Sequence, residues 1–336
     1  MITRTAPTWH TEDWQIQLSS GFSRVEELLS TLDLQANDLP RQLQAHGEFP
    51  LRVPRAFASK IEPGNPRDPL LLQVLPQARE LIANPGFSND PLQEARFTPV
   101  PGLIHKYRSR VLLTTSSACA INCRYCFRRH FPYSEHRISQ TQIEAIVAYL
   151  QQQPGVNEVI FSGGDPLAIS NTRFVSLVER LATVPHLQRL RIHTRFPVVI
   201  PQRIDQALLQ LMEQPRFQWL MVIHSNHPNE LDDSLAKAMA LLKARNVTLL
   251  NQSVLLRDVN DSATTLASLS DKLFAMGVLP YYLHLLDPVT GSSHFDLPES
   301  QATAIYQELL ALLPGYLVPK LVREAPDQPS KTPITL

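Results

Sequence analysis

Every cysteine of the chain falls in one stretch, Cys119-Ala-Ile-Asn-Cys123-Arg-Tyr-Cys126. No other stretch constrains the fold as strongly. The C-x3-C-x2-C spacing brings three thiolates into one loop, where they can hold three corners of a cubane [4Fe–4S] cluster. Such clusters are usually held by four cysteines, so one iron would be left without a protein thiolate. An open coordination position is where a metal carries out chemistry. Two other uses compete. A disulfide would leave one cysteine over, and nothing signals export. A structural Cys3His zinc site is the stronger rival, because His130 lies four residues beyond Cys126.

The remaining composition bounds the class. At 336 residues the chain can bury a sizeable core as one large or two ordinary domains. Hydrophobic residues at 43% and charged residues at 18% describe a soluble globular protein. A formal net charge of zero argues against a general nucleic-acid binder. Met1 to Gln15 contains no apolar h-region, and no apolar run reaches the roughly 20 residues of a membrane span. The expected location is the cytoplasm, where thiols stay reduced.

Along the chain, residues 1–100 read as a helical lead-in. Ser23-Arg-Val-Glu26 is a candidate capping box, and Val25, Leu28, Leu29 and Leu32 follow helical spacing. Turn signals follow at Pro63-Gly64-Asn65-Pro66, Asn84-Pro85-Gly86 and Pro101-Gly102, read as surface loops. Then a rhythm begins. Short β-rich runs occur at Arg110–Thr115, Glu158–Ser162, Leu190–Thr194, Trp219–His224, Val247–Gln252 and Tyr281–Leu286, with helical patterns between them. Ile143, Ile146, Val147 and Leu150 form one such pattern; Leu235, Met239 and Leu242 form another. Strand-then-helix units build a parallel sheet, either curled into a partial barrel or laid flat as a doubly wound sheet. Periodicity does not separate the two. The runs lead into polar residues: the cysteine loop, Ser162-Gly-Gly-Asp165, His193-Thr-Arg195, His224-Ser-Asn-His227, Asn251-Gln-Ser253 and Asp287. Polar groups gathered at successive strand ends favour a barrel active site. Within them, Gly163 and Gly164 permit close backbone approach to a ligand, while Asp165-Pro166 also suits a helix start.

The cysteine spacing resembles the cluster motif of the radical S-adenosylmethionine (SAM) enzymes, in which the open iron chelates the amino and carboxylate groups of SAM. Gly163, Gly164 and Asp165 resemble that family's glycine motif, which binds the methionine amino group. From Gly102 to Lys331 the chain is similar to the lysine 2,3-aminomutases. The matching motifs include His105-Lys-Tyr-Arg-Ser-Arg-Val-Leu-Leu, Arg128-Arg129, Pro197-Val-Val-Ile-Pro-Gln-Arg203, Asn251-Gln-Ser-Val-Leu-Leu-Arg257, Pro280-Tyr-Tyr282 and Ser330-Lys-Thr-Pro333. The likeness is greatest to the short bacterial branch that makes (R)-β-lysine for elongation factor P.

The resemblance implies an α/β fold, a partial (β/α)6 TIM-like barrel over 101–312, with a helical N-terminal region over 1–100. A C-terminal segment, 313–336, would carry the lysine that binds pyridoxal 5′-phosphate (PLP). It implies three cofactors: a [4Fe–4S] cluster on Cys119, Cys123 and Cys126, SAM, and PLP on Lys331. Arg110 and Gln252 match contacts to the PLP phosphate. Arg128 matches the partner of the substrate carboxylate, and Asp287 and Glu324 match anions placed against the lysine ε-ammonium. Two departures stand out. Ala325-Pro-Asp-Gln-Pro-Ser330 replaces a run of glycines before the lysine, so a stiffer loop must present it, and Glu324 is one methylene longer than the family aspartate. The implied activity is an isomerisation that moves the α-amino group of L-lysine to the β-carbon. It would need an external electron donor, and its product would pass through a separate ligase to elongation factor P, with no nucleic acid or membrane involved. A radical SAM methylase or activase without PLP, and a non-enzymatic Cys3His zinc protein, remain alternatives.

Overall fold

All six β-rich runs form strands, and they pair in chain order. The computed structural model describes residues 13–40, 49–133 and 138–335; most of the segment read for a leader lies outside them. One sheet has nine strands in the order β1 to β9: β1 Leu103–Tyr107, β2 Arg110–Ser116, β3 Glu158–Gly163, β4 Arg189–Thr194, β5 Gln218–His224, β6 Thr248–Val254, β7 Leu279–His284, β8 Lys320–Arg323 and β9 Thr332–Pro333. Strands β2 to β8 are parallel, and β1 and β9 run antiparallel at the two edges. A doubly wound sheet would reverse its strand order at a switch point. Here the order never reverses, as a curling barrel requires. Helices Gln140–Gln151, Asn171–Ala182, Gln206–Met212, Asp233–Lys243, Ala263–Ala275 and Glu299–Leu312 supply the crossovers.

The helical patterns point where the spacing expects. Ile143, Ile146, Val147 and Leu150 are all buried, as are Leu235, Met239 and Leu242. Strand β3 is buried along its whole length, as a parallel strand covered on both faces must be. Strand β4 alternates: Leu190, Ile192 and Thr194 are buried, whereas Arg189, Arg191 and His193 are half-buried. Its apolar side meets the helices and its polar side lines the interior. The opened barrel therefore has a charged lumen in place of a packed one.

The lead-in differs from expectation in two respects. The helix Val25–Thr31 begins one residue late, with Arg24 in the cap position and no side-chain cap bond. The box at Ser23 does not form, because Phe22 pairs with Val53 through both backbone groups and carries the chain out extended. More consequentially, residues up to Leu75 share one hydrophobic core with the barrel, from Trp14 and Phe22 through Phe57, Leu70 and Leu75. The predicted turns do form: Gly64, Gly86 and Gly102 all take positive φ. No helix of the described residues is long and apolar enough to cross a membrane.

Candidate active site

The cysteine loop leaves the C-terminal end of β2, and the end of β3 holds it there. Gly164 N–H donates to the Ser116 carbonyl at 2.7 Å, and Asp165 N–H to the Ala118 carbonyl at 2.8 Å. Gly163 has φ +114°, and a Cβ on it would lie 2.8 Å from the Ser116 oxygen. A Cβ on Gly164 would lie 2.6 Å from the Ala118 oxygen. Backbone cannot yield as a flexible side chain can, so both positions exclude any larger residue. The glycines thus seat the residue next to Cys119. Gly164→Ala should cost about 1–3 kcal/mol of stability, as overpacking does, and displace Ala118. We expect reconstituted protein to carry less iron and sulfide; wild-type content and melting temperature would refute this account.

Asp165 is spent within the fold. Its Oδ1 accepts from Leu167 N–H at 3.0 Å and Thr194 Oγ1 at 2.7 Å; its Oδ2 accepts from the N–H groups of Arg195 at 2.8 Å and Phe196 at 3.1 Å. It caps the 3-10 turn Pro166–Ala168, as the Asp-Pro pair suggests, and ties β3 to the end of β4.

The lead-in locks the other side of the loop. Arg124 N–H donates to the Gln73 carbonyl and Asn122 N–H to that of Arg52. Glu80 pairs with Arg124 and, at 2.7 Å, with Arg129. None of the three cysteines is in a disulfide. Burial, then the neighbouring sulfurs, pushes the Cys126 thiol up to about 11 and the Cys119 thiol well above its usual range. Thiols crowded this way repel one another as thiolates, a repulsion that bound iron relieves. The donor set therefore suits an iron–sulfur cluster. His130 does not complete a zinc site: it is exposed, with Nε2 3.3 Å from the Thr290 carbonyl.

Arg128 departs from expectation. Its Nε and Nη2 grip both oxygens of Glu94 at 2.8 and 2.6 Å, and its Nη1 donates to Ser162 Oγ at 2.9 Å and the Gly163 carbonyl at 3.4 Å. The two-pronged contact foreseen for a substrate carboxylate is already made by a glutamate 34 residues upstream. Of five guanidinium N–H groups, one on Nη2 remains.

Lys331 turns inward despite its stiff approach loop. Its Nζ lies 2.5 Å from Glu324 Oε2 and 5.6 Å from the centre of the Tyr282 ring. Glu324 is not the open anion foreseen. Its Oε1 also takes Lys106 Nζ at 3.0 Å and the Tyr107 hydroxyl. Burial pushes its carboxyl up, but Lys331, Tyr107 and Lys106 together hold it at about 2. These contacts join β1 to the end of β8, the two parts of the sheet that backbone pairing leaves apart. The extra methylene lets one carboxylate reach both. Arg110 stacks 4.3 Å over the Tyr107 ring. Gln252 is the register partner of both His224 and Tyr282. A cation, an amide and a reachable amine around one lumen fit an aldehyde cofactor bearing a phosphate.

Asp287 makes no side-chain hydrogen bond to any described residue, and burial pushes its carboxyl up to about 7 against the pull of Lys331. His193 sits on the polar side of β4. Burial, then the charges of Arg191, Lys331 and Arg128, hold its imidazole well below the usual range. Contacts along the strands link the same regions: Lys331 lies against Tyr282, Gln252 pairs with both Tyr282 and His224, and His224 Nε2 lies 2.8 Å from the Tyr125 hydroxyl. No sequence signal singled out Glu94, Glu80, Gln73 or Glu230, and Lys106 and Tyr107 stood inside a matching motif with no role given; each meets its partner only across the fold.

Residues 113–222 match the Radical SAM superfamily. The chain is 49% identical over 337 aligned positions to L-lysine 2,3-aminomutase of Escherichia coli K12, covering all of this chain and 98% of that one. It is 50% identical to L-lysine 2,3-aminomutase of Haemophilus influenzae, covering 96% and 95%. It is 36% identical to the protein of that name from Clostridium subterminale, covering 96% and 77%. Among solved structures, a radical SAM methyltransferase from Sphaerobacter thermophilus superposes at TM-score 0.46 with 16% identity, over 66% of this chain and 68% of that one.

Proposed function

The chain belongs to the radical SAM lysine 2,3-aminomutase family, an isomerase family using a [4Fe–4S] cluster, SAM and PLP, and from that premise we propose that it converts L-α-lysine to (R)-β-lysine in the cytoplasm for β-lysylation of elongation factor P. One observation carries the reading: Lys331 Nζ lies 5.6 Å from the Tyr282 ring, Gln252 pairs with both Tyr282 and His224, and His224 Nε2 lies 2.8 Å from the Tyr125 hydroxyl of the cysteine loop, which supports one lumen shared by the cysteines and the PLP lysine. When bound, the cofactors supply a carbon-centred radical and a nitrogen carrier, because the β C–H bond of lysine is not acidic enough for an ordinary base.

The protein's own residues hold and orient. Cys119, Cys123 and Cys126 present three thiolates and leave one iron for SAM, against Gly163 and Gly164. Arg110 and Gln252 would hold the phosphate, and Lys331 would carry the cofactor. Glu324 balances Lys331 and Lys106, which leaves Asp287 as the anion for the substrate ε-ammonium. Arg128, fixed by Glu94, offers its remaining N–H to the carboxylate. The extended likeness to the Escherichia coli and Haemophilus influenzae relatives supports lysine as substrate. The (R) product and the elongation-factor link rest on resemblance to the short bacterial branch.

The test is an anaerobic assay with L-lysine, SAM and a low-potential one-electron donor. We expect (R)-β-lysine; 5′-deoxyadenosine formed without any β-lysine would overturn the reading. Asp287 sets the pH dependence. Its ionised form pairs with the ε-ammonium, so lysine KM should fall as pH rises through about 7 and level off above it. Asp287→Asn should abolish that dependence and raise KM on the order of a hundredfold, since an unpaired buried charge costs about 3 kcal/mol or more. An Asn variant with wild-type KM and pH profile would remove Asp287 from the site.

A further inference from the structure

Beneath the cysteine loop lies a buried charge cluster that the reaction as described does not use. Arg195, at the end of β4, is 6% exposed. Its Nη1 lies 2.7 Å from Cys123 Sγ and 2.6 Å from the Tyr125 hydroxyl; its Nη2 lies 2.9 Å from Gln73 Oε1 and 3.0 Å from Glu230 Oε2. Glu230 is fully buried, and its Oε1 accepts from the N–H groups of Asn226 at 2.8 Å and His227 at 3.0 Å. Asp165 holds the Arg195 backbone N–H from behind. Asn226 and His224 close the network through the Tyr125 hydroxyl, at 2.7 and 2.8 Å. The guanidinium is thus gripped by Glu230 from the turn after β5, by Gln73 from the lead-in and by Tyr125 of the cysteine loop, with one edge turned to the Cys123 sulfur.

We propose that Arg195 is a positioning residue for the cluster, donating to the Cys123 sulfur and thereby raising the potential at which the cluster takes its electron. The inference rests on the cluster reading above. Its physics is general. Reduction adds one negative charge to the iron–sulfur core, and a donor and cation at a ligand sulfur favour that reduced state. Glu230 offsets part of the charge but reaches no cluster sulfur, so the direct N–H contact sets the sign. A purely structural ion pair would matter for folding yet leave the potential where it was. The electron itself comes from an external low-potential one-electron donor, and no bond to Arg195 is made or broken.

The experiment is an EPR-monitored redox titration of the anaerobically reconstituted full chain without SAM. The double variant Arg195→Gln/Glu230→Gln removes both charges and so avoids an orphaned glutamate. We expect its one-electron reduction to become about tenfold less favourable, or about 59 mV more negative, at unchanged iron and sulfide content. A second readout uses the wild type with guanidino-¹⁵N arginine. Pulsed EPR of the reduced cluster should show a ¹⁵N coupling that Arg195→Lys loses. An unshifted potential in an iron-replete double variant, or a coupling that is absent from wild type or survives Arg195→Lys, would overturn the proposal. Failure of the wild type itself to bind iron and sulfide would instead sink the cluster reading.

Discussion

Replacing any one of Cys119, Cys123 and Cys126 by Ala leaves a protein that no longer cleaves SAM reductively, with 5′-deoxyadenosine at the background of an iron-free control. The reason is stoichiometric. The chain has three cysteines, all in one loop, and a cluster that already lacks a fourth thiolate tolerates no further loss. The loop itself should survive each change. Its backbone is held by Gln73, Arg52, Gly164 and Asp165, and its arginines by Glu80 and Glu94. Each variant should therefore fold and keep a PLP-reactive Lys331 while losing iron. Undiminished 5′-deoxyadenosine formation in a single variant would contradict the assignment.

Lys331→Ala gives the complementary result: iron and sulfide stay at the wild-type level, while β-lysine formation falls to background. In the parent protein, borohydride reduction after PLP loading should fix a pyridoxyl group to the peptide containing Lys331. Two lysines compete in space. Lys106 Nζ lies 3.0 Å from the same glutamate, and it also donates to the Ala325 carbonyl at 2.6 Å. That second bond ties Lys106 to the barrel seam, whereas Lys331 has no other hydrogen-bond acceptor among the described residues. The label should therefore appear on Lys331 and not on Lys106. Label on Lys106, or on Lys320 at the exposed start of β8, would show that the proline-containing loop has moved the attachment point.

Much of the site could be read along the chain because the relevant physics is local. Three cysteines inside one loop are close enough to share a metal centre, whatever surrounds them. Glycines at a strand end declare a close backbone approach, and a period of strand then helix declares parallel units. Asp165-Pro166 begins a helical turn by its own side chain. The six long strands followed from their apolar runs, but β1, β8 and β9 did not; β8 is short and forms on the edge that β7 offers, and β9 adds to β8.

What the sequence by itself determined, then, was an inventory of candidates: three cysteines in one loop, a glycine pair at a strand end and the order of βα units, with Lys331 picked out by resemblance alone. Only the tertiary structure decided which charges are spent and which are open. Arg128 looked free until Glu94 closed on it from 34 residues away. Glu324 looked like a substrate anion until Lys106, Tyr107 and Lys331 converged on it, whereas the Asp287 carboxylate has no such hydrogen-bond partner among the described residues. Arg195 became a neighbour of Cys123 across 72 residues. A buried charge must find a partner or change its ionisation, and which partner it finds depends on contacts that only the folded chain brings within reach.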